Sequence, residues 1–302
     1  MSTTEAEARS ARLATEGWQS SEPRTALIRG TGRSLREIAG QRELLTLLVR
    51  RELKARYKDS TLGFLWSLLR PLTTLLVYYV AIGKFLGAER NIPEFAIFIF
   101  TGLIGWQLFQ ESLTSGTASI VANSGLVKKV YLPREVFPLA AVGAAIFNFV
   151  TQMIILWAAI LVTRDIPSGS RLLFLPLSVA VLLVFGTAFG LMLAAVNVYL
   201  RDVQYLVEIS MTVLFWASPI VYSWELVSSA INGSWLENVY LSNPVTLAVL
   251  GLQRALWVAG TGEPVPDGLG TRLVIALGIG VVLLWLCQRL FNRLEGNFAQ
   301  EL

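Results

Sequence analysis

The chain has 302 residues, 54% of them apolar, a mean hydropathy of +0.58 and a net charge of +4. That apolar share is hard to keep soluble, whereas lipid accepts helices that are apolar all round, so a water-soluble enzyme is set aside. Histidine is absent and Cys287 is the lone cysteine, which removes the commonest general base, an intrachain disulfide and a cysteine metal cluster.

Residues 1–40 are polar, rich in Ser, Thr, Glu and Arg, and hold no apolar run of the kind a signal peptide needs, which predicts a cytosolic tail. Everything from 41 to 302 reads as one transmembrane domain. Leu45, Val49, Leu53 and Tyr57 then recur every four residues, with Leu44 and Leu48 beside them. Arg50, Arg51, Lys54, Arg56 and Lys58 occupy other positions, the pattern of an amphipathic helix lying along the inner membrane surface. Such a helix serves either as an anchor on anionic lipid or as a surface that touches a cytosolic partner or a phosphate headgroup.

Apolar stretches of spanning length follow at about 61–83, 95–119, 137–162, 172–197, 205–223 and 271–291. The fold class is therefore all-α, a polytopic membrane protein with six transmembrane helices. The segment 239–259 is interrupted by Asn243-Pro244 and by Arg254, and reads as a pair of short reentrant helices between spans five and six. Lys128, Lys129 and Arg134 lie between spans two and three, Arg201 in the turn between four and five, and Arg289 and Arg293 after the last span. These cations share one side with the amphipathic helix, which the positive-inside rule makes cytoplasmic, with both termini on that side. Basic residues placed against spans point to membrane rather than to nucleic acid.

Arg70 sits within span one just before Pro71, where a charge costs roughly 2.5–3.5 kcal/mol unless paired or wetted. Glu111 in span two and Glu208 in span five are the acids within reach. Two readings stand: an internal ion pair that fixes packing, or a polar ring in a translocation path. Aromatics run along span one (Trp66, Tyr78, Tyr79, Phe85) and span five (Phe215, Trp216, Tyr222, Trp224). Aromatic residues commonly anchor helices at the interface. Tyr78, Tyr79 and Trp216 fall inside the spans, however, and aromatic faces stack on sugar rings without demanding one sugar identity. Gly102 with Gly105, and Gly186 with Gly190, mark close helix packing. No GxxxxGK[ST] loop, GxSxG or HExxH motif occurs, so the chain carries neither an ATP cradle nor a catalytic arrangement of those kinds.

Several segments together resemble the membrane subunit of ABC-2 type polysaccharide exporters, the group of O-antigen, capsule and teichoic-acid permeases. They are RRELKARYKDSTLGFLWSLLRPL from Arg50, TGLIGWQLFQESL from Thr101, NSGLVKKVYLPREVFPL from Asn123, NVYLRDVQYLVEI from Asn197, WASPIVYSWE from Trp216, SNPVTLAVLGLQRAL from Ser242 and FNRLEGNFAQEL from Phe291. Their order covers about residues 45–302. The resemblance implies a homodimer in the bacterial inner membrane, bound by two copies of a separate ATPase that holds ATP and Mg, with no cofactor or metal in this chain and no covalent chemistry of its own. Lys128, Lys129, Arg134, Arg201 and Asp202 would transmit ATP-driven motion, and spans one and five would line the conduit. The cargo would be a glycan on a polyprenyl diphosphate (O-antigen, teichoic acid or cell-wall galactan), with Arg50, Arg51, Lys54, Arg56 and Lys58 as candidates for the diphosphate. An ABC-2 exporter of a lipid or drug, and an intramembrane enzyme acting on lipid or glycan, are the alternatives.

Overall fold

The computed structural model describes residues 40–56, 65–129, 132–231 and 234–302, and every regular element among them is a helix. Residues 1–39 of the predicted tail, Tyr57 and Lys58 of the amphipathic helix, and the start of span one at 61–64 lie outside the described residues. Helix α1 (Arg42–Arg56) is the amphipathic segment. It buries Leu48 and lays Val49 against α5 (Val136–Thr163), where Gly143 leaves the room: a Cβ there would stand 2.7 Å from Val49 Cγ2. Arg50, Arg51 and Lys54 stay exposed along its other side.

Span one is α2 (Leu65–Tyr78), which runs on as a π-helical segment over Tyr79–Phe85. Next come α3 (Phe95–Ala122), the short α4 (Ser124–Lys129), α5, a 3-10 turn at Gly169–Leu173 and α6 (Phe174–Tyr199). The chain finishes with α7 (Val203–Trp216), α8 (Trp224–Ile231), α9 (Trp235–Tyr240), α10 (Pro244–Leu256), α11 (Leu269–Leu294) and α12 (Phe298–Glu301).

Among the described residues, four helical stretches are long and apolar enough to cross a membrane: Leu68–Phe85, Val136–Thr163, Gly169–Tyr199 and Leu269–Asn297. The other two predicted spans differ for distinct reasons. Helix α3 has ample length at 28 residues, but Gln107, Gln110 and Glu111 dilute its apolar character. Helix α7 has 14 residues, about 21 Å at 1.5 Å per residue, and stops at Trp216 rather than continuing to 223. The cause is Pro219, which has no N–H to give and disfavours helical backbone in the residue before it.

Helix α3 is the axis, buried along most of its length among α5, α6 and α10. The glycines make that possible. A Cβ on Gly190 would lie 3.2 Å from the backbone oxygen of Ser112, one on Gly116 3.2 Å from Gly190 Cα, and one on Gly102 3.0 Å from the backbone oxygen of Ile220. The expected glycine packing is thus observed, and Gly116 is a partner that the sequence reading did not single out.

Helix α10 is a wedge of 13 residues, about 20 Å long and almost wholly buried, too short to cross a hydrocarbon core of about 30 Å. Asn243 caps it, its side-chain oxygen accepting from Val245 N at 3.0 Å, while Pro244 fills the first turn where no N–H is required. Its far end is closed by the Arg171 guanidinium, which donates to the carbonyls of Arg254 (3.1 and 2.9 Å) and Trp257 (2.9 Å). Gln253 donates to Pro219 O at 3.0 Å and the Trp257 indole to Pro93 O at 2.7 Å, tying the wedge to the turns around it.

A second apolar cluster closes the basic end of the bundle, gathering Leu48, Val136, Phe137, Leu191, Phe291 and Phe298. Phe298 is fully buried, its ring 5.6 Å from Phe291 and 6.1 Å from Tyr199. The Arg134 guanidinium lies 5.5 Å over the Phe298 ring, and the buried Glu135 accepts from Gln288 Nε2 at 3.2 Å.

At the opposite end, burial and the neighbouring carboxylate of Glu225 on α8 raise the Glu263 carboxyl above its ordinary range. A carboxyl raised by folding adds stability below the ordinary carboxyl range and loses it as pH climbs through the raised value. The protection of Trp224–Ile231 against hydrogen exchange, taken relative to the intrinsic rate at each pH, is therefore expected to fall as pH rises through that window, and Glu263→Gln to flatten the dependence. For the helix contact, Gly190→Leu is expected to cost about 1–3 kcal/mol of stability through overpacking against Ser112, read as a lowered thermal midpoint of the purified protein.

A cleft between the first and fifth predicted spans

Helices α2, α3, α5 and α7 enclose an open cleft of about 1450 Å³. Its two walls differ in chemistry. Trp66 and Tyr78 of α2, with Phe215 and Trp216 of α7, present one aromatic wall, joined by Trp106 of α3. The rings touch one another: Tyr78 lies 5.9 Å from Phe215, Trp106 meets Phe215 edge-on at 5.4 Å, and Phe215 meets Trp216 at 5.5 Å and 88°. Trp66 and Trp216 remain half exposed, so their faces are open to an occupant.

The other wall is polar. Gln107, Gln110, Glu111, Thr114 and Ser115 all line it, spaced i, i+3, i+4, i+7 and i+8 along α3, and Asn148 and Gln152 add two positions one turn apart on α5. The Glu111 carboxylate accepts from Asn148 Nδ2 at 2.8 and 3.0 Å. Reading 95–119 as an apolar span picked out Glu111 alone and missed the rest. The signal that finds them is the helical period of the polar residues within an otherwise apolar helix.

Arg70 is exposed on the cleft wall beside Pro71, in the company of Thr73 and Thr74. Thr74 Oγ1 donates to Arg70 O at 3.0 Å, the usual bond of a helical threonine back to the carbonyl four residues before it. Arg70 and Glu111 thus share the cleft, whereas Glu208 lies on an exposed side of α7 and does not line it. Tyr79 and Tyr222 also fall outside the lining. Tyr79 packs 6.3 Å from Phe95 with the Lys84 ammonium 5.5 Å over its ring, and the Tyr222 hydroxyl donates to Trp216 O at 2.7 Å.

The remaining sequence-predicted residues gather at the basic end, away from the cleft. Arg51 on α1 donates to Asn123 Oδ1 at the start of α4, joining the amphipathic helix to the connection that carries Lys128, Lys129 and Arg134. Lys128, Lys129, Arg201 and Asp202 are exposed, as are Arg50 and Lys54, while Arg134 is half-buried on Phe298. Arg56 closes α1, and Lys58 lies outside the described residues. Among the described residues no group of three or more Cys, Asp or Glu is arranged to hold a metal ion.

Comparison with known proteins assigns this architecture. The O-antigen export system permease protein of Myxococcus xanthus is 32% identical over 271 residues, covering 89% of this chain and 99% of that protein. One from Klebsiella pneumoniae is 28% identical over 261 residues, covering 86% of this chain and 95% of its own length. The polysialic acid transport protein of Escherichia coli is 25% identical over 186 residues, covering 60% of this chain and 70% of its own. Residues 43–257, from the amphipathic helix to the end of the buried wedge, match the ABC-2 type transporter family, and the chain belongs to that family of membrane permeases.

Proposed function

We propose that this chain is the membrane subunit of an ATP-driven exporter that carries a polyprenyl-diphosphate-linked polysaccharide across the bacterial cytoplasmic membrane. The observation that carries the reading is the cleft. It combines stacking faces, which grip sugar rings without fixing their identity, with a polar rail that lipid cannot solvate. O-antigen and polysialic acid permeases among the relatives support the same cargo class.

The working unit in this reading is a homodimer. A cleft with amides and a carboxylate, left open toward hydrocarbon, would be costly, and a second copy facing the first through α2 and α7 would enclose it. Each copy would cross the membrane six times, α3 and the short α7 crossing within the assembled bundle. Helix α1 would lie along the cytoplasmic surface, α9 and α10 would re-enter from the outside, and both termini would face the cytoplasm. Two copies of a separate ATPase would bind the basic end, supplying ATP and Mg, and α4, Arg134 and the Arg201–Asp202 turn would receive their motion. The cations at Arg50, Arg51, Lys54, Arg56 and Lys58 would meet the lipid diphosphate. The glycan itself would be an O-antigen, a teichoic acid or a cell-wall galactan.

Co-expression with a separate ABC ATPase subunit is expected to yield a complex of two chains with two ATPases, whose hydrolysis rises with polyprenyl-linked glycan. Replacing Trp66 and Trp216 together by leucine is expected to raise the half-stimulating glycan concentration about ten-fold, since each aromatic contact is worth about 0.5–1.5 kcal/mol beyond its area. Stimulation by small amphiphiles and by no glycan would overturn the cargo class.

A further inference from the structure

Two buried oxygens beneath the polar wall have no hydrogen-bond partner: Asn148 Oδ1 and Gln152 Oε1. Asn148 is 8% exposed and Gln152 2%, and both residues line the cleft. The orientation of Asn148 is fixed by its neighbour. An ionised carboxylate only accepts, so Glu111 holds the amide nitrogen and leaves the carbonyl oxygen turned away from it. Gln152 stands one turn further along α5, on the same face. A buried acceptor without a donor loses its water and gains nothing in return, and here two of them stand one helical turn apart below a space large enough for an occupant. The terminal torsion of an amide side chain is soft, so a donor arriving at the wall can draw the Gln152 oxygen out to meet it, while Asn148 stays held by Glu111.

The charges of the cleft narrow the occupant further. Arg70 and Glu111 are the charged residues among its lining, one of each sign. A wall that offers a carboxylate and two carbonyl acceptors asks for donors, and a cleft of zero net charge holds no surplus of cations to offset a chain of repeated anions.

Resting on the exporter reading, we infer that Glu111, Asn148 and Gln152 form a hydroxyl-reading subsite that selects an uncharged, hydroxyl-rich glycan over a polyanionic one. The aromatic wall stacks on the ring faces of that chain, and the amide subsite accepts from hydroxyls on its edge. Stacking holds any pyranose or furanose ring. The subsite decides between neutral and acidic repeats.

The test uses the full complex of chain and ATPase in nanodiscs, with ATP hydrolysis as the readout. Three probes are compared: undecaprenyl diphosphate carrying a neutral oligogalactan, the same carrier with an oligosialic acid, and the carrier alone. The neutral probe is expected to half-saturate at about a ten-fold lower concentration than the acidic one, the worth of one to two net hydrogen bonds. Gln152→Met is expected to erase most of that difference. It breaks no protein hydrogen bond at the orphan oxygen, and an unchanged thermal midpoint separates the effect from misfolding. Glu111→Gln, which removes the anion, is expected to narrow the preference from the other side by strengthening the acidic probe. Val282→Ala, on an exposed apolar face of α11, is the control. Equal response to both glycans, a full response to carrier alone, or an unaltered preference in Gln152→Met would each overturn the subsite while leaving the exporter reading in place. Failure of every glycan, with stimulation by small amphiphiles, would instead sink the exporter reading from which the subsite follows.

Discussion

A polar group at membrane depth must find a partner or reach water, and that constraint organises this molecule. Backbone groups meet it through helical hydrogen bonds, since every regular element among the described residues is a helix. Side chains meet it by concentrating their polarity in one place, the wall built from α3 and α5. Elsewhere small residues and apolar rings make most contacts between helices, and the polar side chains that do cross them bond to a neighbour, as Asn197 does to Thr117 O at 3.1 Å and Tyr199 to Leu294 O at 2.8 Å. Gly116, Gly190 and Gly102 bring α3 close to its neighbours, and that approach in turn fixes which face of α3 is left for the cleft.

Much of this architecture is legible from residue order alone. The four-residue spacing of Leu45, Val49 and Leu53 gives α1 its buried side, and Asn243-Pro244 announces the start of the buried wedge with a cap and a first-turn proline. Trp66, Tyr78, Phe215 and Trp216 reach the cleft as the pattern of spans one and five suggests. What pattern could not supply was direction. Tyr78 and Tyr79 are adjacent, yet a helix turns about 100° per residue, so one faces the cleft and the other packs on Phe95. Tyr222 follows Pro219, where the helix has already ended, and its hydroxyl closes back onto Trp216. The polar rail of α3 was hidden by averaging, because a window that counts apolar residues is blind to the side on which the rest lie.

The two ends of the bundle are held by different means. At one, Arg171 and Asn243 secure the buried wedge through backbone groups, leaving α8 and α9 short and largely exposed around it. At the other, apolar packing dominates, and charged groups are threaded through it: Arg134 on Phe298, Glu135 with Gln288, Arg51 with Asn123. A hydrogen-bonded closure can exchange partners in small steps, whereas a packed one moves as a unit or not at all.

The burial of Phe298 four residues from the end of the chain carries this further. Its ring ties the last helical turn to Phe291 of α11, Tyr199 of α6 and Arg134 ahead of α5, three strands of a knot drawn from distant parts of the sequence. A push received anywhere on that knot is shared at once among the long helices that leave it. The helices that meet there are consequently bound to shift together rather than one at a time, as close-packed interiors do.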